Sequence, residues 1–130
     1  MFEVLASDEV LFANHNWMND NPETVAILVE SLLSVWRDMT ADPTIVDKER
    51  VKYNLLADHP AELLAEVDAY YAEAVDGGLY ERNGGGESAA LADFEFYSEA
   101  GQLTGGLDSL KVEDFWDLGP LNAAIAKAGG

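Results

Sequence analysis

The residues that could bind a metal are few, and their positions do not favour a metal site. The chain has two histidines, His15 and His59. A mixed histidine–carboxylate site would need acids such as Asp8, Asp20 or Asp58 to meet both imidazoles. We interpret His15 as a polar residue at the end of a strand and His59 as a loop residue before a proline. The sequence therefore predicts no metal site.

Nucleophiles and phosphate-binding loops are no better supported. The chain has no cysteine, which excludes disulfides, thiolate metal sites and cysteine nucleophiles. No serine lies in a Gly-X-Ser-X-Gly elbow, and among 25 acidic residues no carboxylate pair stands out as a general acid and base. The run Gly84-Gly85-Gly86 follows no strand and has no lysine, so we interpret it as a linker. We predict that the chain is not an enzyme and uses no cofactor.

A small-molecule site is predicted at four consecutive residues, Asn14, His15, Asn16 and Trp17. Most aromatic residues of the chain fall at the spacing of a helical core, whereas Trp17 ends a predicted strand beside three polar side chains. In α/β sheets, ligands bind at the ends of strands. These four residues are therefore our candidate ligand contacts.

The elements that must position these residues begin with a strand region over residues 1–20. The segments EVLAS (3–7) and VLFANHNW (10–17) are rich in Val, Leu, Phe and Trp and are separated by a polar break. This pattern predicts one or two strands. The second segment is too apolar to alternate cleanly, which is typical of a strand buried on both faces.

The remaining residues are predicted to be helical. Asn21-Pro22-Glu23 is a strong helix start, because it supplies a cap, a first-turn proline and an acid near the positive end of the helix dipole. Asp42-Pro43 ends this helix. Later segments are helices over 45–56 and 60–76, a Gly-rich loop at 79–88, a helix over 87–100, a helical turn at 113–118 and a final helix from residue 120.

These elements predict a single domain over residues 1–130. Its fold class is α/β but helix-dominated, with one or two N-terminal strands followed by about five helices. Three helices lie within 21–78, and the C-terminal helices lie within 89–130.

The acidity of the chain limits its partners. Twenty-five Asp and Glu against seven Lys and Arg give a net charge of −18. Such a chain repels phosphate backbones and anionic membrane surfaces, so we predict no nucleic-acid partner. The acids are spread without a block of five, which favours a solvating surface of the halophilic kind. The alternative is a phosphate-mimicking surface for a basic partner.

No targeting or membrane segment is predicted. The first residues, MFEVLASDEVLF, lack the basic start of a signal peptide. The apolar run at residues 26–29 is far too short to span a bilayer. We expect no membrane insertion, and a cytoplasmic chain if it is a complete native product.

Several motifs occur in an informative order. The apolar segment Val10–Trp17 precedes the helix start Asn21-Pro22-Glu23, and the helix containing Trp36 ends in Asp42-Pro43. Further on, Glu99-Ala100-Gly101 closes a helix, and Phe115-Trp116-Asp117 precedes the last helix after a short loop. Over most of the chain, this order resembles the C-terminal portion of the solute-binding proteins of ABC importers. The class is the one that serves nitrate, sulfonate, taurine and thiamine-pyrimidine precursors.

The resemblance implies a periplasmic-binding-protein-like fold and the capture of a small organic solute for an ABC permease. It also implies an extracytoplasmic location, periplasmic or at the cell surface. Members of the family have two α/β lobes around a cleft, and this chain corresponds to the return strand into the first lobe plus the C-terminal helices. No ligand residue of the family maps onto a diagnostic motif here. The alternative is a stand-alone acidic helical interaction module, self-associating or phosphate-mimicking, with no transport role.

Association is expected from the segment Val10–Trp17. A strand that is apolar on both faces needs a neighbour on each side, and in the family the first lobe supplies those neighbours. We therefore expect either a homo-oligomer in which this strand pairs across chains or a missing N-terminal lobe that covers it.

Overall fold

The computed structural model describes residues 11–130, the side chain of residue 68 excepted. Within this range 64% of the residues are helical. The elements are seven α-helices and two short 3-10 turns: α1 (His15–Asp20), α2 (Pro22–Ala41), α3 (Ile45–Lys52), α4 (Ala61–Leu64), α5 (Val67–Asp76), α6 (Gly86–Glu99), the turns Leu107–Ser109 and Val112–Asp114, and α7 (Gly119–Lys127).

The predicted α/β fold is wrong, because residues 11–130 contain no strand. Of the predicted strand at 10–17, residues 11–14 have no regular structure and His15 begins α1. The cause is local: the Trp17 amide donates to Asn14 Oδ1 at 3.1 Å, so Asn14 caps a helix. The strand on which the expected pairing across chains depended is therefore absent from residues 11–17. The predicted strand at 3–7 lies outside the described residues.

Helix α2 is the longest described element and has the bounds that its motifs predict. It begins at Pro22 and ends at Ala41, where the Asp42 amide donates to the Asp38 carbonyl at 2.9 Å. One side of α2 packs against α7 and buries Val25. An ion pair between Lys127 Nζ and a Glu30 carboxylate oxygen, 2.7 Å apart, joins the two helices at the surface.

The C-terminal half of α2 contacts α5 and the loop after it through aromatic rings. The Trp36 ring lies edge-on to Tyr80 with centroids 5.2 Å apart, and Tyr80 stacks on Tyr71 of α5 at 5.9 Å. Beside them the Arg37 guanidinium donates twice to Asn83 Oδ1, at 2.7 and 3.0 Å. These contacts hold the loop against α2.

Helix α6 contributes the main apolar cluster. Its buried members are Ala90 and Phe94, and Val112 from the second 3-10 turn completes the centre. Four partly buried side chains surround this centre: Leu103, Leu110, Trp116 and Leu118. The predicted turn before the last helix therefore forms part of the core.

Glycines set both ends of α6. Gly85 has φ +77°, and a Cβ at this position would lie 2.5 Å from the Ala89 Cβ. The Gly84-Gly85-Gly86 linker thus needs glycine for its conformation and its close approach to α6. At the other end Gly101 has φ +70°, and the Gln102 amide donates to the Tyr97 carbonyl at 2.9 Å. This arrangement terminates the helix.

The middle of the chain is less helical than its apolar spacing predicts. The helix predicted over 45–56 ends at Lys52, because Asn54 and Leu56 have left-handed backbones with φ of 54° and 59°. The helix predicted over 60–76 is divided into α4 and α5. Residues 51–63 are exposed along their whole length.

Candidate functional site

The four predicted ligand contacts lie together at the start of α1 rather than at the end of a strand. Asn14 is the N-cap residue, and the Asn19 side-chain amide donates to His15 Nε2 at 3.0 Å. At the other end of the helix the Asn21 side chain donates to the Trp17 carbonyl at 2.8 Å. Short-range contacts within α1 therefore fix this group of residues.

These contacts determine which groups remain for a ligand. Asn14 Oδ1 already accepts from the Trp17 amide, and His15 Nε2 already accepts from Asn19. The Nδ1 nitrogen of a neutral His15 is then the ring donor. The side chains of Asn16 and Trp17 are exposed, Trp17 by 43%. An aromatic face and amide groups can thus contact a small molecule at this point.

His15 also borders a surface hollow of about 640 Å³. The hollow lies between the start of α1, the start of α6 and residues 112–119. Its acidic lining residues are Glu87, Glu113, Asp114 and Asp117. Because like charges repel, this lining opposes an anion and suits a neutral or cationic ligand.

A second hollow of about 390 Å³ lies between α1, α2 and α7. Its walls are largely apolar and include Met18, Val25 and Ala124. Its charged groups already have partners, since Glu30 binds Lys127 and the Asp117 carboxylate accepts from the Gly119 amide at 3.0 Å. This hollow therefore presents mainly hydrophobic surface.

Between residues 11 and 130, no group of three or more His, Asp and Glu residues is placed to hold a metal ion. No helix in this range is long and apolar enough to cross a bilayer.

Exposed apolar side chains are the most prominent feature that the sequence analysis missed. In the described part of the chain seventeen large hydrophobic residues are exposed. On α2, Leu28, Leu32 and Val35 form one exposed row at spacings of four and three, which we name the α2 stripe. The buried residues of this helix are Val25 and Leu33. Which residues are buried depends on where α7 and the loop after α5 pack.

A second group of exposed apolar side chains lies at the end of α3 and directly after it. Val51, Tyr53, Leu55 and Leu56 are between 51% and 63% exposed, and we name them the 51–56 face. These residues lie within the helix predicted over 45–56. The asparagine at position 54, a residue that tolerates left-handed geometry, was the available sign that the helix stops earlier.

Comparison of the chain with family models, with curated proteins and with solved structures finds no match. Two surface features of residues 11–130 are candidates for a functional role. They are the acidic hollow beside His15 and the exposed apolar side chains.

Proposed function

We propose that this chain is a segment of, or is derived from, the solute-binding protein of an ABC importer and captures a small organic solute for import. The observation that carries the proposal is the order of the motifs along the chain. The helical motifs of this order coincide with helix ends, since α2 runs from Pro22 to Ala41, α6 ends at Glu99, and α7 follows the Phe-Trp-Asp turn. The first motif does not form the expected strand, because residues 11–14 have no regular structure and His15 begins α1.

The exposed apolar surface supports the proposal. A solute-binding protein of this class has two lobes, so a segment of it would leave uncovered the faces that contact the other lobe. The α2 stripe has the required character, since Leu28, Leu32 and Val35 form one exposed apolar row. Burying such a row stabilises a protein by about 25 cal/mol for each Å² removed from water.

The acidic hollow narrows the class of solute. Glu87, Asp114 and Asp117 line it beside His15, and the whole chain carries a net charge of −18. This charge opposes the capture of nitrate or a sulfonate. A neutral or cationic nitrogen heterocycle, such as an aminopyrimidine, can donate hydrogen bonds to carboxylates and stack on an aromatic face. We propose His15, which lines the hollow, as a contact for such a solute, with the exposed neighbours Asn16 and Trp17 beside the hollow as further contacts.

The partners and location follow from the same proposal. The chain would deliver its solute to an ABC permease, outside the cytoplasm, and would not itself act as an enzyme. Its dispersed acidic surface would keep it soluble at high salt.

The test is solute binding by the protein that the complete reading frame encodes, with isothermal titration calorimetry. Nitrate, taurine, methanesulfonate and an aminopyrimidine are the probes, and the aminopyrimidine is expected to bind. Replacing Trp17 by alanine is expected to weaken binding by up to about tenfold through the lost aromatic contact. Phe12→Ala is the matched control, because Phe12 is 90% exposed and precedes α1. Absence of binding for all four probes contradicts the proposal.

The second candidate is a stand-alone acidic helical interaction module. The same seventeen exposed hydrophobic side chains favour it, because large apolar patches mark surfaces that bind other proteins. The coding locus separates the two candidates. Adjacent ATPase and permease genes, with a first lobe in frame, favour the transport protein; a neighbouring restriction or defence system favours the interaction module.

A further inference from the structure

The loop between α5 and α6 contains a dipeptide that is prone to spontaneous chemical change. Of the seven asparagines in the sequence, only Asn83 is followed by glycine. Asparagine is a thermolabile residue, and it loses its amide when the backbone nitrogen of the next residue attacks its side-chain carbonyl carbon. Glycine permits this attack best, because it has no side chain to obstruct the approach and its backbone turns freely. The sequence at 83–84 therefore indicates a labile amide.

The reaction at this dipeptide converts an amide into an acid. A bond forms between the Gly84 nitrogen and Asn83 Cγ, the bond from Cγ to Nδ2 breaks, and the proton of the Gly84 nitrogen leaves with the amide group as ammonia. The product is a cyclic imide. Water then adds to one of the two imide carbonyls and opens the ring, which gives aspartate or isoaspartate. Water is the co-reactant, and nothing is oxidised or reduced.

The surroundings of the dipeptide leave room for this reaction. Asn83 is half-buried and Gly84 is exposed, so water has access to the loop. Gly84 has φ +73°, and a Cβ at this position would lie more than 4 Å from every described atom beyond the adjacent residues. No described group therefore crowds the Gly84 side of the ring that must form.

Two consecutive residues of α2 hold both reacting groups in place. The Arg37 guanidinium donates to Asn83 Oδ1 from Nη2 at 2.7 Å and from Nε at 3.0 Å. The Gly84 amide donates to the Glu81 carbonyl at 2.9 Å, and the same carbonyl accepts from Trp36 Nε1. Because the attacking nitrogen must lose its proton and reach Cγ, these hydrogen bonds oppose the reaction while the loop lies against α2.

We propose that Asn83 is a deamidation site whose modification is suppressed by the contacts with α2 and takes place when the loop separates from this helix. Local opening of a loop from the body of a protein costs less than global unfolding, so it is the step that admits the reaction. The inference does not depend on the proposed transport function, because deamidation is measured without any solute.

The two products differ in their effect on the loop. Aspartate at position 83 keeps the length of the side chain and presents a carboxylate to Arg37, so a charge-assisted pair replaces hydrogen bonds to a neutral amide. Isoaspartate routes the main chain through the side-chain carbon, which lengthens the backbone and shortens the reach of the carboxylate. This changes the spacing of the turn in which the Gly84 amide binds the Glu81 carbonyl. We expect aspartate to keep the loop on α2 and isoaspartate to release it.

Peptide mapping by mass spectrometry, after incubation of the whole chain at mildly alkaline pH, tests the proposal. In the folded chain the rate of amide loss at Asn83 is expected to be at least about tenfold lower than in guanidinium chloride, where the contacts with α2 are lost. Asn54 is the internal reference, because it is exposed but is followed by leucine. In guanidinium chloride it is expected to react more slowly than Asn83.

Variants of α2 test the suppression. Arg37→Ala is expected to raise the rate at Asn83 in the folded chain by about tenfold and to leave the rate in guanidinium chloride unchanged. Arg82→Ala is the matched control, because Arg82 adjoins Asn83, is exposed, and its loss likewise changes the net charge from −18 to −19. The control is expected to change the rate by less than about twofold. Circular dichroism verifies that both variants fold.

Trp36→Phe provides a second variant, since it keeps an aromatic ring and removes only the donor to the Glu81 carbonyl. It is also expected to raise the rate at Asn83 in the folded chain. The proposal is overturned if Asn83 keeps its amide in guanidinium chloride, or if the folded and unfolded chains react at equal rates. Equal effects of Arg37→Ala and Arg82→Ala would overturn it as well. So would a slower reaction in Arg37→Ala, which would mean that the guanidinium promotes the attack.

Discussion

Replacing Phe94 tests whether the cluster on α6 is the stabilising core of the described residues. The Phe94 side chain is 4% exposed and lies against Ala90 and Val112. Its ring is edge-on to Phe115 and to Trp116, with centroids 5.4 and 5.3 Å apart. A truncation at this position removes contacts with α6 itself and with the turn that precedes α7.

The expected loss is large. Truncating a buried phenylalanine to alanine lowers the free energy of unfolding by about 3–5 kcal/mol. Edge-on aromatic pairs contribute about 0.5–1.5 kcal/mol each beyond burial, and Phe94 makes two, so we expect a value in the upper part of that range. Since single domains are stable by about 5–15 kcal/mol, Phe94→Ala is expected to come close to unfolding the chain. Phe94→Leu, with an expected loss of about 1–2 kcal/mol, keeps the effect measurable.

The assay is urea unfolding followed by far-ultraviolet circular dichroism in molar salt, where repulsion between acids is screened. Phe96 provides the control, because it lies on the same helix two residues later and is 36% exposed. Phe96→Leu is expected to lower the free energy of unfolding by less than about 1 kcal/mol. Equal losses for Phe94→Leu and Phe96→Leu would refute the assignment of Phe94 to the core.

Salt, a glycine and an exposed carboxylate provide three further tests. The melting temperature is expected to rise from millimolar to molar salt because the net charge of −18 opposes the compact state; a flat or falling trend would contradict this. Gly85→Ala is expected to destabilise the chain by at least about 1 kcal/mol more than Gly78→Ala. Both glycines have left-handed backbones, but only at Gly85 would the added Cβ clash. A hydrogen bond from the Thr44 hydroxyl, and to a smaller extent Lys48, hold the pKa of Asp42 below its ordinary value of 3.8. The stabilising contribution of the Asp42 carboxylate is therefore present above pH 3.8 and is lost as the pH falls through the lower pKa of the folded chain. Thr44→Ala is expected to make the melting temperature fall slightly less at acid pH. An equal fall in the variant and the unmodified chain would contradict the role of Thr44 in lowering the pKa of Asp42.

Local signals predicted both ends of α2 and the end of α6 well. Pro22 and Asp42 act through their own backbone geometry and through residues within one helical turn, so their effect can be read from the sequence. The same holds at Gly101, whose left-handed backbone ends α6 one residue before the predicted limit. The prediction of a strand at 10–17 was wrong because two local signals compete there. The apolar run favours extension, but Asn14 caps a helix that begins at the next residue.

The candidate site was predicted in part. Asn14, His15, Asn16 and Trp17 lie together because they are consecutive, but the strand-end argument for them is wrong. The acidic hollow depends on the distance between α1 and residues 112–119, far apart in sequence, which no local pattern specifies. The exposed faces likewise depend on which sides of α2 and α3 find a packing partner.

The net charge acts both on folding and on association, and these two effects can be separated. Low salt opposes the compact chain and the approach of two copies alike, so a salt-dependent melting temperature alone cannot distinguish them. Varying the protein concentration does distinguish them. The stability of a monomer is independent of concentration, whereas association with a second copy raises apparent stability by mass action. A melting temperature that depends on salt but not on protein concentration would assign the salt effect to the folding of a single chain.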